Sequence, residues 1–186
     1  YSEIFNYTKQ SAPIRAGDFY FFYKNDGLQN QAVIYRKKGL DGEEEVFIDP
    51  NEASEDGTVD INIASISPND KFVVISRQES GSDWTNLYIK EVETGKDLMD
   101  ELKWTKFSAI AWKEDGFFYS RYPEPQEGTE YSKANEYHSI YYHKIGENQN
   151  KDELIYRDDT APKMYHWATT TEDEKYLILN ASTGTD

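Results

Sequence analysis

The sequence predicts an all-β fold, and three observations point to it. Aromatic residues make up 15% of the chain, and aromatic and β-branched side chains favour strands. Short runs such as QAVIYRKKG (31–39) alternate apolar and polar residues, as a half-buried strand requires. Clusters of Gly, Asn and Asp separate these runs. Helical periodicity is absent over any useful length, and only PNEASEDG (50–57) is expected to form a single turn.

An internal repeat narrows the fold class. Four segments share a turn of Asp, Asn or Gly followed by an apolar strand that begins with an aromatic residue: RAGDFYFFYKNDG, SISPNDKFVVISRQESGSD, AWKEDGFFYSRYPE and TTTEDEKYLILNASTGTD. Their first aromatic residues lie 53, 45 and 59 positions apart and are Phe19, Phe72, Phe117 and Tyr176. Blades of β-propellers repeat every ~40–50 residues, so the spacing predicts a β-propeller with some longer loops.

The interior of each repeat predicts a four-stranded antiparallel blade. A second strand, a third strand and a connector to the next blade follow each leading strand; in the first repeat these are QAVIYRKKG, EEVFIDP and DINIASISP. The chain therefore holds about three to four blades, the last only begun, whereas a closed ring needs roughly 4–8. We expect the remaining blades to lie outside this sequence. We interpret YSEIFNYTKQ (1–10) as a tail from another part of the protein.

Charge and composition exclude several classes of partner. The chain carries 35 acidic and 20 basic residues, a net charge of −15, which repels nucleic acid and anionic membranes. It has no Cys, so thiolate catalysis, disulfides and zinc–thiolate sites are excluded. No apolar run is long enough for a membrane helix. These features fit a cytoplasmic protein, with the bacterial periplasm as the alternative.

Catalytic, metal and cofactor motifs are absent from the sequence. There is no G-x-S-x-G elbow and no phosphate-binding loop. Ser80 and Ser82 lie in a turn between strands, where nothing activates a nucleophile. His138 and His143 are five positions apart on one predicted strand, so they face opposite sides of the sheet and cannot chelate one metal; we expect them to be solvent-facing or hydrogen-bonded. His166 is expected to pack in a connector. The sequence thus predicts no catalytic residue, no metal and no cofactor.

Two loop segments are the strongest binding candidates, because propellers place ligand contacts on loops held by a rigid scaffold. Asp83, in GSDW, is an acid at the entry to a strand. Phe107 lies in a connector, where it is either a core residue or the wall of a binding cavity. YPEPQEGTEYS (122–132) is expected to be a long surface loop, and SEDGT (54–58) a turn.

The sequence resembles the propeller domain of the prolyl oligopeptidase, or prolyl endopeptidase, family over nearly its whole length. The stretches that carry the resemblance are YFFYKNDGLQNQAVIYRKKGLDGEEEVFIDPN with SEDGT, SGSDW, KFSAIAWKEDGFFYSRYP and EYHSIYYHKIG. The combination of GLQNQ, DPN and GSDW at these separations is specific to the family. Oligopeptidase B is a weaker match.

This resemblance implies a seven-bladed propeller inserted into an α/β-hydrolase domain that cleaves oligopeptides after proline. The Ser–Asp–His triad would lie beyond this chain, which alone would not be an enzyme. Residues 1–7 would end the N-terminal segment of the hydrolase domain, and residues 8–186 would form the incomplete propeller. The implied partners are a proline-containing oligopeptide and the hydrolase domain of the same polypeptide.

The resemblance also assigns two substrate-binding residues. Phe107 matches an aromatic residue that lines the substrate pocket from the propeller side. Asp83 matches an acid that pairs with an arginine of the catalytic domain. The leading hypothesis is the substrate-gating part of a proline-specific serine endopeptidase. The alternative is a non-enzymatic propeller that binds a peptide, a protein or a glycan at its rim.

Overall fold

A computed structural model describes residues 7–54, 57–79, 82–126, 128 and 135–184 of the protein. The described chain forms two compact units. The first contains residues up to 79 together with the hairpin tip Lys90–Asp97, and the second contains residues 82–89 and those from Leu98 onward.

The first unit contains a complete antiparallel sheet. Its strands are β1 (Lys9–Gln10), β2 (Ile14–Ala16), β3 (Phe19–Asn25), β4 (Val33–Lys38) and β5 (Glu45–Ile48). Both β1 and β2 pair with β3, and β4 lies between β3 and β5. Because β1 and β2 share one edge of β3, the sheet is four strands wide, as the repeat predicted.

Aromatic residues of β3 fill the core of this sheet. Phe21 and Phe22 are both fully buried, and adjacent strand residues point to opposite faces. Phe21 meets Phe47 edge to face at 4.8 Å between ring centroids, and Phe22 stacks on Tyr35 at 5.8 Å. Both faces of the sheet are therefore covered along this strand.

The first unit also contains a helical turn and a second hairpin: α1 (Pro50–Ala53), β6 (Val59–Ile66) and β7 (Phe72–Glu79). The Asp49 side chain caps α1 by accepting a hydrogen bond from the Asn51 N–H, and Pro50 occupies the start of the turn, where its missing N–H has no cost. The predicted single turn is confirmed.

The second unit contains most of β8 (Thr85–Glu91) and β9 (Asp97–Thr105), then β10 (Ala111–Lys113), β11 (Gly116–Arg121), β12 (Ser139–Lys144), β13 (Glu153–Tyr156), β14 (Tyr165–Thr170) and β15 (Leu177–Ser182). Strands β10 to β13 pair antiparallel in chain order as another four-stranded group, and one residue pair, Arg121 with Thr105, joins β11 to β9. Strands β14 and β15 form a hairpin, the start of a further repeat.

The hairpin tips repeat as the sequence pattern indicated. The turns before β3, β7, β11 and β15 each contain a residue with left-handed backbone, at φ of 58°, 59°, 52° and 54°; these are Gly17, Asp70, Glu114 and Glu174. Gly, Asp and Asn enter this region most readily. The common conformation shows that the four turns are structurally equivalent.

Two details differ from the sequence expectation. The connectors are more regular than expected, since β6, β10 and β14 form within them and supply the first strand of the next repeat. The stretch interpreted as a tail contributes Lys9–Gln10 to the first sheet, while residues 1–6 lie outside the described part. Among the described residues, no helix is long and apolar enough to cross a membrane.

Candidate functional site

The two predicted site residues lie on neighbouring connections of the second unit. Asp83 precedes β8, and Phe107 follows β9. The start of β8 meets the end of β9, because the Thr105 hydroxyl donates a hydrogen bond to the Thr85 carbonyl. The two connections therefore lie at the same end of the strands.

An ion pair joins these connections. The Asp83 carboxylate contacts Nζ of Lys106 at 2.8 Å. The Lys106 side chain is only 14% exposed, whereas the Asp83 side chain is 76% exposed. The ammonium also lies 5.6 Å from the ring centroid of Phe107 and 5.7 Å from that of Trp84, within cation–π range. Lys106 thus contacts both predicted site residues.

Phe107 presents its ring at the surface. It is 53% exposed, so within the described chain it is not a core residue. One side of the ring meets Tyr165 edge to face at 5.2 Å. Its backbone has φ 54°, an uncommon conformation for a bulky residue. A half-exposed apolar ring in a strained backbone is typical of a contact surface rather than of packing.

An aromatic cluster extends from Phe107 across this end of the unit. We define it as Trp84, Trp104, Phe107, Tyr122 and Tyr165 with His138 between the two tyrosines; neighbouring ring centroids lie 4.7–5.9 Å apart. Trp104 is also left-handed, at φ 63°. Such strain persists only where the surroundings fix the backbone, and it concentrates at functional sites.

His138 is fixed on both ring nitrogens. Its Nδ1 accepts a hydrogen bond from the His166 backbone N–H at 2.9 Å, so its proton lies on Nε2, which bonds to the Lys106 carbonyl at 2.8 Å. Nδ1 of His166 in turn bonds to the His138 carbonyl at 2.7 Å. Burial lowers the pKa of His138 to about 4, which keeps the ring neutral at pH 7. His138 is therefore hydrogen-bonded, which was one of the two expectations, and does not face solvent, which was the other.

His143 belongs to a separate buried group, the His143 clamp, which consists of Asp100, His143 and Asp152. Nε2 lies 2.8 Å from Asp100 and Nδ1 lies 2.7 Å from Asp152. Carboxylates accept hydrogen bonds, so both ring nitrogens donate and the ring is an imidazolium. Burial alone would lower its pKa, but the hydrogen bonds and charges of Asp100 and Asp152 outweigh burial and raise the pKa to about 9.

Alkaline pH is expected to lower the free energy of unfolding of the second unit, because it removes a proton from His143. The His143 pKa rises from about 6.5 unfolded to about 9 folded, so the stabilisation is complete below about pH 6.5 and is lost as the pH rises through about 9. At about 1.4 kcal/mol per pKa unit, the loss is roughly 3 kcal/mol. Urea unfolding at several pH values, compared with His143→Gln, measures it. An identical pH profile for both proteins would contradict the assignment.

The other candidate segments form turns and loops. The Ser82 hydroxyl accepts a hydrogen bond from the Trp84 N–H at 3.0 Å, a local turn contact; Ser80 lies outside the described residues. Ser54 bonds to the Thr58 N–H and closes the SEDGT turn, whose residues 55–56 are not described. Residues 122–126 and 128 belong to no helix or strand, as predicted for a loop, but Tyr122 is buried rather than at the surface; residue 127 and residues 129–132 are outside the described part. The described residues contain no group of three or more side chains that could hold a metal.

Recurring four-stranded antiparallel groups, joined one after another along the chain, are the architecture of a β-propeller domain. The whole sequence, residues 1–186, matches the family described as prolyl oligopeptidase, N-terminal beta-propeller domain. The chain belongs to this family and is a partial, all-β propeller.

Individual similar proteins support this family assignment. The chain is 44% identical over 185 residues to a prolyl endopeptidase of Elizabethkingia meningoseptica, covering 99% of this chain and 26% of the relative. Prolyl oligopeptidase B of Galerina marginata, solved with a 35-residue hydrolysis and macrocyclization substrate, superimposes with a TM-score of 0.84 at 32% identity, covering 100% of this chain and 29% of that one. Oligopeptidase B of Leishmania major shares the fold, with a TM-score of 0.71 at 20% identity, covering 97% of this chain and 25% of that one. The chain spans about a quarter of the length of these proteins.

Sequence analysis did not predict the contacts that Lys106 and His138 make around the two predicted residues. Lys106 contacts both Phe107 and Asp83, and His138 contacts the Lys106 carbonyl; only Lys106 is adjacent to one of the predicted residues in sequence. The arginine partner expected for Asp83 would lie in another domain; within the described chain its partner is Lys106. The position of Lys106, directly before Phe107 in the same connector, was the one feature of the sequence that could have indicated its contact with Phe107.

Proposed function

We propose that the protein containing this chain is a serine endopeptidase that cleaves oligopeptides after proline, and that this part of its propeller gates and lines the substrate cavity. Membership of the prolyl oligopeptidase family over all 186 residues, with 44% identity to a prolyl endopeptidase, carries the proposal. The nucleophilic serine and its partners belong to the rest of the polypeptide.

The reaction that this assigns to the whole protein has two steps. The serine oxygen attacks the carbonyl carbon of the proline, and the peptide bond breaks to release the new amine and leave an acyl-enzyme ester. Water then hydrolyses the ester and restores the serine. This chain contributes no reacting group and acts on the substrate only by contact and access.

Phe107 and Asp83 have separate roles in the proposal. The half-exposed ring of Phe107, supported by Tyr165, offers an apolar surface to the bound peptide. The exposed carboxylate of Asp83 accepts a charge-assisted hydrogen bond from a cation of the hydrolase domain. We further propose that residues 1–7 end the N-terminal segment of that domain and that residues 8–186 belong to the propeller.

Replacing Phe107 by alanine in the full-length protein is expected to lower kcat/KM for a chromogenic Gly-Pro substrate about tenfold, which corresponds to ~1.4 kcal/mol of lost contact. The protein should still fold, because the ring is half exposed. Met99→Ala, at a residue 73% exposed on β9, is the control and should leave the kinetics unchanged.

Three outcomes would change the assignment. Unchanged kinetics of Phe107→Ala would remove this residue from the site. Cleavage that resists a serine-directed phosphonate would contradict the serine mechanism. A full-length protein that cleaves no proline peptide would favour the alternative, a propeller that only binds its ligand.

A further inference from the structure

The peptide bond between Lys106 and Phe107 determines where the Phe107 ring points. The φ angle of Phe107 is the rotation between this peptide plane and the rest of the residue, and it is held at 54°. A bulky residue relaxes out of this region unless its neighbours hold it. The orientation of the Lys106 carbonyl therefore sets the position of the exposed ring.

His138 holds that carbonyl. Its Nε2–H donates to the Lys106 oxygen at 2.8 Å. The imidazole itself cannot turn, because Nδ1 accepts from the His166 N–H and the ring lies between those of Tyr122, at 4.7 Å, and Tyr165, at 5.9 Å. The residue is 1% exposed. A buried ring bonded on both nitrogens is a rigid support for the peptide plane.

Lys106 connects His138 to Asp83, the second predicted site residue. Its carbonyl bonds to His138 and its ammonium to Asp83, at 2.8 Å in each case. Tyr165, which contacts the Phe107 ring, also contacts His138. His138 thus contacts both the carbonyl that precedes Phe107 and the tyrosine that packs on the Phe107 ring.

We propose that His138 is a positioning residue: its hydrogen bond to the Lys106 carbonyl fixes the left-handed backbone of Phe107 and so directs the ring toward the substrate peptide. The inference rests on the proposed function, in which Phe107 contacts that peptide. His138 itself touches no substrate, since it is buried behind Lys106 and Tyr165.

Substitution of His138 by asparagine or by glutamine keeps one of its two ring hydrogen bonds and removes the other. His138→Gln places an amide N–H near the position of Nε2 and keeps the donor to the Lys106 carbonyl. His138→Asn is shorter, keeps an acceptor near the position of Nδ1 for the His166 N–H, and loses the bond to Lys106. Both variants are measured in the full-length protein with a Gly-Pro peptide substrate. His138→Asn is expected to raise KM about tenfold while kcat changes by less than about twofold. His138→Gln is expected to change KM by less than about threefold.

A double substitution shows whether the effect passes through Phe107. In a Phe107→Ala background, His138→Asn should change KM by less than about twofold, because the ring that it positions is gone. A general structural role would give the same additional loss in both backgrounds. Should His138→Asn not fold, His138→Met, of similar volume and without a donor, replaces it with the same expectation.

Equal effects of His138→Asn and His138→Gln, or an additive double substitution, would overturn the positioning role. A wild-type protein that cleaves no proline peptide would refute the proposed function instead. In that case crystal structures of the two full-length variants decide the matter: residue 107 should stay left-handed in His138→Gln and leave that region in His138→Asn, and an unchanged backbone in both would refute the inference.

Discussion

Replacing His143 by leucine is expected to lower the stability of the second unit by about 3–5 kcal/mol, because it leaves two buried carboxylates without their cation. Asp100 and Asp152 are each at most 1% exposed in their side chains. The second oxygen of Asp100 has no hydrogen-bond partner among the described residues. That carboxylate therefore depends on the imidazolium and on the Gly146 N–H at 2.7 Å.

Hydrogen exchange in β9 and β12 of the full-length protein measures this loss directly, since local opening reports the stability of each segment. Lys144→Ala is a matched control at the next position. Its ammonium pairs with Asp115 at the surface, with both side chains more than half exposed, and such pairs contribute little. Wild-type exchange protection in His143→Leu would show that His143 is not the counter-ion of these carboxylates.

Replacing Phe21 by alanine is expected to destabilise the first unit by about 3–5 kcal/mol, the usual cost of deleting a buried phenyl ring. Phe21 is fully buried in β3 and packs edge to face on Phe47 at 4.8 Å. The substitution removes this contact and leaves a cavity in the core.

The control lies in the same sheet. Val46, on β5 beside Phe47, is 56% exposed, so Val46→Ala should change stability by less than about 0.5 kcal/mol. Hydrogen exchange in β3 and β4 compares the two variants. A loss below about 1 kcal/mol for Phe21→Ala would contradict its place in the core.

The fold was predictable because its signals are local. Each leading strand begins within one residue of a predicted aromatic, as in β3 at Phe19, β7 at Phe72 and β11 at Gly116. The acidic or glycine turn predicted before it is also present, and one of its residues has a left-handed backbone. A strand needs alternation over a few residues and a turn needs one permissive residue, and both can be read from neighbouring positions.

The connectors and the site were harder because their determinants are distant in sequence. Strand β10 is only three residues long, and it forms because β11 offers it an edge. His138 meets Lys106 and His166 across 32 and 28 positions, and Asp100 meets His143 across 43. No periodicity indicates such pairs, so the histidines could be expected to form hydrogen bonds but their partners could not be named.

The order of the His143 clamp along the chain has a consequence for synthesis on the ribosome. Asp100 emerges first, and its partner follows 43 residues later, with Asp152 another nine residues on. Until then the nascent β9 carries a carboxylate that water must solvate, because burying it unpaired would be costly. This strand therefore locks into place only after translation has passed His143, so its completion depends on a residue of the next repeat.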